Sequence, residues 1–310
     1  MSLFRPYQYK ARPDLLDNAP TKKGLFLFFE LYFRKFWRFL TLNLCYFLVT
    51  LPMLAYVFYL VNGIFADRLA DSGTVLLAGV GFIVSFFGFV PRALYVPLLV
   101  VSVLLYGPVT MGLTYVFRNF AREEHAWGSD LWSRAWANAK QGLVFGILDL
   151  ALTWLFINGM FGTVADAGKT AGYTLSVILS VLCGVALVIW LFMRHYTYMM
   201  AVTVNLSVIR ILKNAWLFVV LGFGRNVLSG LVTLGCVVVS FLLAPLATII
   251  TVPFFFWSFT WFCTVFTCYP IVKKYIIVPA LEQAGKSDAP EEETPEAIPD
   301  DTETEEETEE

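Results

Sequence analysis

Six apolar runs, nearly free of charge, constrain this chain more than any short motif: residues 38–60, 94–117, 141–161, 174–193, 227–247 and 253–272. About 20 apolar residues in a helix cross the ~30 Å hydrocarbon core of a bilayer, so each run reads as a transmembrane helix. Hydrophobic residues make up 58% of the sequence and charged residues 15%, far from the usage of soluble domains. The expected fold is all-α: a six-helix transmembrane bundle over residues 24–275, with a re-entrant or surface hairpin, interfacial helices and a disordered acidic tail. The first 23 residues are polar and basic, which argues against a cleavable signal peptide and for retention of the first helix. Cys45, Cys183, Cys236, Cys263 and Cys268 lie in apolar segments without a Cys-x-x-Cys pair or neighbouring His. They read as small packing residues rather than disulfides or ligands.

Charge is segregated along the chain. Residues 1–280 hold 21 Lys/Arg against 10 Asp/Glu, and residues 281–310 hold 1 Lys against 14 acids. With six crossings and both termini cytoplasmic, 19 of the 22 basic residues fall inside, Arg68 and Lys169 fall outside, and Arg92 is unassigned, as the positive-inside bias requires. A seventh crossing through residues 74–90 would leave 10 inside and 12 outside. That stretch, with Gly79, Gly81, Gly88 and Pro91, reads instead as a non-spanning hairpin in an insertion over 61–93, shielded by protein. From residue 276 the chain is acidic and Pro-containing, a composition that cannot offset its ordering entropy. Such a tail solubilises, screens a basic inner face from anionic lipid, or docks a basic partner.

Three segments read as interfacial helices. Glu30, Arg34 and Arg38 recur every four residues, with Lys35 beside them and Phe26, Phe29, Phe33, Phe36 and Trp37 around them. That pattern fits a helix in the inner headgroup layer or an extension of the first span. Leu131, Trp132, Ala135 and Trp136 form an apolar stripe opposite Arg134 and Asn138, and Arg210 and Asn214 repeat the Arg-x-x-x-Asn-Ala spacing. The two segments are either related repeats or independent interfacial helices. With Arg118 and Arg225, these cations and amides are the candidate lipid and partner contacts.

The order of these blocks resembles the YesL family of bacterial membrane proteins. The resemblance rests on LNLCYFLVTLP with Asn43 and Pro52, on YGPVTMGLTYVFRNFAREEHAWGSDLWSRAWANAKQG, and on LKNAWLFVVLGFGRNV. It covers roughly residues 25–275, and the middle block, with Gly107, Pro108, Gly112, Tyr115, Arg118, Asp130 and Asn138, is its most specific part. Residues 61–104 look inserted relative to the family's tight first hairpin, and the acidic tail is extra. The resemblance implies a polytopic plasma-membrane protein of undetermined activity, often encoded beside carbohydrate uptake and polysaccharide-degradation systems. It implies no catalytic residues.

Asp149 lies halfway along the third run, where an ionisable side chain is by default a functional candidate, and no charged partner is evident at similar depth. It is read either as part of a solute or proton pathway or as a buried carboxyl bonded to neighbouring helices. Arg122, Glu123, Glu124 and His125 are consecutive, which points them apart and suggests a solvated loop. His195, beside Arg194 at the inner end of the fourth run, reads as an interfacial anchor. Gly142 and Gly146 permit close helix approach within a protomer or between copies, and Pro52, Pro108 and Pro245 are expected to kink or end helices. No cofactor, metal set or nucleic-acid feature is legible, and the expectation is a non-enzyme. Its expected partners are membrane lipids and carbohydrate transporter subunits; the alternative is a small-solute transporter or channel using Asp149.

Overall fold

Long apolar stretches become continuous helices because a helix satisfies its own backbone groups where water is absent. The computed structural model describes residues 24–71, 92–167, 173–204, 206–243 and 248–277, and among these every regular element is helical. In chain order they are α1 (Gly24–Arg34), α2 (Phe36–Asp71), α3 (Arg92–Ala121), α4 (Gly128–Ala137), α5 (Ala139–Ala167), α6 (Tyr173–Ala201), α7 (Val208–Leu221) and α8 (Phe223–Val237). A π-helical turn, Val238–Leu243, extends α8; then come α9 (Thr248–Thr251), a second π turn (Val252–Phe256) and α10 (Trp257–Val272). These belong to one compact unit, Met1–Val272. A second unit, Lys273–Glu310, contributes only the π turn Lys273–Ile277 to the described residues.

Among the described residues, six segments are long and apolar enough to cross a membrane: Phe36–Tyr56, Leu94–Ala121, Ala139–Phe161, Thr174–Ala201, Phe223–Ser240 and Val252–Ile277. The chain is a multi-pass membrane protein with a helical bundle. Along α6, Leu175, Ile178, Leu182 and Val185 are all more than half exposed. A continuous apolar surface of that kind would drive association in water and is the expected lipid-facing surface in a bilayer.

Several boundaries differ from those expected. Helix α2 continues to Asp71, so residues 61–71 of the expected insertion are helical. The fourth span continues past residue 193 to Ala201, because its last turns carry a second buried face: Tyr196, Tyr198, Met199 and Met200 are all at most 1% exposed. The fifth begins at Phe223. Pro52 and Pro108 lie inside α2 and α3 without ending them; Ser102 Oγ donates to Val49 O at 2.7 Å in the turn before Pro52. The 74–90 hairpin, Pro245, residues 1–23 and the acidic tail beyond 277 lie outside the described residues.

The beginning of α2, the end of α3, the start of α5 and the end of α6 share one end of the bundle. Arg38 Nη1 donates to Ala126 O at 3.0 Å, Arg118 Nη1 to Val202 O at 2.7 Å and Gln141 Nε2 to Leu206 O at 3.0 Å. Below this basic end an aromatic cluster joins α1, α2, α3 and α10, with ring centroids at 4.7 Å for Tyr32–Phe39, 4.8 Å for Phe39–Phe262 and 5.1 Å for Phe39–Phe117. Such pairs add to simple burial through their edge and face electrostatics.

Helices α3 and α5 cross at glycine. A Cβ at Gly107 would fall on the Gly142 carbonyl, and one at Gly146 would come within 2.6 Å of the Gly107 Cα. The Gly142/Gly146 pair therefore serves packing within the protomer. Gly146→Val should lower the thermal unfolding midpoint clearly, by the ~1–3 kcal/mol of an overpacked contact. Gly235→Ala, where nothing lies within 4 Å, should leave it unchanged.

Candidate functional site

The middle of the bundle is polar. Asp149, on α5, is 2% exposed and accepts hydrogen bonds from Tyr106 Oη of α3 at 2.8 Å and Trp190 Nε1 of α6 at 3.1 Å. Thr153 Oγ1 approaches at 3.5 Å. Its charge is met by Arg194, whose Nε stands 3.6 Å from Oδ2. The expectation that Asp149 lacks a charged partner at its depth is thus corrected. Asp149 is ten residues into α5 from the basic end and Arg194 seven from the end of α6, so at 1.5 Å per residue their backbones lie about 15 and about 10 Å deep. The long guanidinium stem closes the difference.

The same centre draws in further helices. Arg194 Nη2 donates to Tyr106 Oη at 3.3 Å, and its guanidinium lies 5.2 Å from the Trp261 ring of α10. Trp261 Nε1 donates to Thr114 Oγ1 at 2.9 Å, and Tyr46 of α2 shares a 3.1 Å hydrogen bond with Thr110. His195 packs against α10: its Nδ1 lies 2.6 Å from Leu191 O and its ring 4.8 Å from Trp261. Two buried atoms here have no hydrogen-bond partner among the described residues, Arg194 Nε and Tyr198 Oη. Removing the hydroxyl with Tyr198→Phe should leave stability unchanged or raise it by about 1 kcal/mol; a clear drop in unfolding midpoint would show that the hydroxyl is bonded.

At the basic end, two segments far apart in sequence form a clasp. Arg34 bridges Glu30 at 3.6 Å and Glu123 at 3.4 Å, and Lys35 Nζ donates to Glu124 O at 3.1 Å. With Arg38 on Ala126 O, three successive cations of the α1–α2 junction hold the loop before α4. The loop adopts its shape through Glu123, at φ 60°, and Arg122 pairs with Glu124 at 2.6 Å. Residues 122–125 are exposed yet held in place, more than the solvated loop expected of them. Burial and the neighbouring Arg34 and Arg38 lower the Lys35 pKa from 10.5 to about 8. The unfolded chain then binds more protons between those values, so this residue makes stability rise with pH across that window.

Arg118 is only 8% exposed; it caps the end of α6 through Val202 O and Thr203 Oγ1 and is no free partner contact. Arg134, exposed, shares the Tyr115 ring with it at 4.5 Å. Asn138 is the C-cap of α4, its Nδ2 donating to Arg134 O at 3.0 Å, whereas Asn214 lies in the interior of α7. The shared spacing therefore occupies different positions in the two helices. Arg210 and Arg225 are exposed. All five cysteines are free thiols.

Asp149 was legible from sequence, and its ion-pair partner Arg194 was the residue missed. Compared with family models, with curated proteins and with solved structures, the chain matches none.

Proposed function

We propose that this chain is a non-enzymatic protein of the bacterial plasma membrane, with both termini cytoplasmic, acting as an accessory or assembly factor for carbohydrate uptake or polysaccharide utilisation. The carrying observation is that the Asp149 carboxylate is committed to Tyr106, Trp190 and Arg194. A carboxyl so occupied ties helices together; it is not presented to a solute. The polar groups open to a partner are instead at the basic end, where Arg134, Arg210 and Arg225 are exposed.

The membrane type and the carbohydrate association rest on the YesL resemblance, and the orientation on the positive-inside bias. Crosslinking in the native membrane followed by affinity purification tests the role. Under carbohydrate induction, transporter or polysaccharide-utilisation subunits should be recovered; their consistent absence would contradict it. A reporter fused between α5 and α6 should read outside and one between α6 and α7 inside.

A second reading, a small-solute transporter or channel, is favoured by Tyr198 Oη, a buried hydroxyl with no hydrogen-bond partner among the described residues. Asp149→Asn would then alter solute flux in proteoliposomes at normal expression. Unchanged flux would remove this reading.

A further inference from the structure

A cavity of about 490 Å³ opens at the basic end, lined by Arg34, Lys35, Trp37, Arg38, Glu123, Glu124 and His125. Its acids are already engaged: Glu123 meets Arg34 and Glu124 meets Arg122. Lys35 and Arg38 donate to backbone carbonyls and lie against the Phe120 and Trp127 rings at 4.1 and 5.2 Å. Neither forms an ion pair with a carboxylate among the described residues. Two cations with donors to spare therefore face a cavity, and exposed His125 stands beside them.

The cavity lies where the first span begins. Phe26, Phe29, Phe33 and Trp37 recur along one face of α1 and the start of α2, and all are exposed, Trp37 at 76%. Phe28, Leu31 and Tyr32 on the other face are buried. This is the arrangement of an interfacial helix with an apolar stripe in the acyl boundary. Trp37 belongs both to that stripe and to the cavity wall, so the wall is continuous with the lipid-facing surface.

We propose that this cavity binds the phosphodiester headgroup of an anionic membrane lipid, held by Lys35 and Arg38, with Trp37 against the glycerol and upper acyl region. Ammonium and guanidinium donors to phosphate oxygens make short, charge-assisted hydrogen bonds. Burial first, and then the neighbouring Arg34 and Arg38, lower the Lys35 pKa, and a bound phosphate would oppose that shift. The proposal is independent of the accessory role and stands if that role fails.

The test uses the full chain in detergent, titrated with phosphatidylglycerol, phosphatidylcholine or inorganic phosphate and followed by thermal unfolding. Phosphatidylglycerol should raise the midpoint saturably, and phosphatidylcholine should not. Inorganic phosphate acting as well would overturn the lipid assignment in favour of a soluble phosphate ligand. Arg38→Gln should weaken the phosphatidylglycerol effect about tenfold, the scale of one charge-assisted contact, while Lys213→Gln should not change it. A location test needs no variant: phosphatidylglycerol should protect Lys35 from amine acylation and move its reactive midpoint above pH 8. Reactivity of Lys35 indifferent to the lipid would overturn the proposal.

Discussion

Asp149→Ala is expected to destabilise the bundle by about 3–5 kcal/mol, because it leaves Arg194 as a buried charge without its counter-ion. Arg194 is largely enclosed, with 16% of its side chain exposed. The substitution also removes the acceptor of Tyr106 and Trp190, two donors on different helices. The loss should appear as a lower thermal unfolding midpoint and reduced accumulation in membranes. Asp149→Asn, which keeps an acceptor oxygen but not the charge, should fall between the alanine variant and the parent. Equal stability of Asp149→Ala and the parent would mean that the pair does not hold α5 to α6.

A comparable loss is expected at Asn43, through backbone rather than charge. Asn43 is fully buried, and its Nδ2 donates to Val252 O at 2.9 Å and Pro253 O at 2.5 Å, while its Oδ1 accepts from Ser258 N at 2.7 Å. These groups belong to the π turn and to the first turn of α10, where the regular ladder is interrupted. In hydrocarbon no water replaces a lost partner. At ~1–3 kcal/mol for each buried group left unsatisfied, Asn43→Leu should cost about 3 kcal/mol or more despite its greater apolarity. Hydrogen exchange should then rise selectively at Ser258. Uniform exchange, or a stabilised variant, would show that the π turn holds without the amide.

The six long apolar helices among the described residues were legible because length and apolarity suffice to mark a candidate span, and α-helix is the economical way to satisfy a backbone in lipid. Arg194 was hidden by the same rule. A run of apolar residues stops at Met193 and an Arg-His pair follows, the usual mark of a membrane boundary. The helix nevertheless continues for two turns, because Tyr196, Tyr198 and Met199 are buried by the fold. Local hydropathy carries no trace of that surface. The clasp was hidden by distance, since Arg34 and Glu123 are separated by 89 positions; each half alone reads as an exposed charge run. The repeated Arg-x-x-x-Asn spacing left two readings open, and the two amides prove to hold different positions: Asn138 ends its helix and Asn214 does not. Asn43 drew notice only as part of the LNLCYFLVTLP block, because its role depends on a π turn that no residue pattern announces.

The account turns on Asp149 and Arg194 acting as one structural pair, and the double variant Asp149→Ala/Arg194→Met measures that directly. Replacing a buried ion pair by apolar side chains is often near neutral, whereas removing one partner is costly. The unfolding midpoint of the double variant should therefore lie above that of Asp149→Ala, short of the parent only by what the orphaned Tyr106 and Trp190 donors cost. A midpoint lowered by the sum of the two single effects would contradict the pairing, and with it the reading of Asp149 as a closed structural centre.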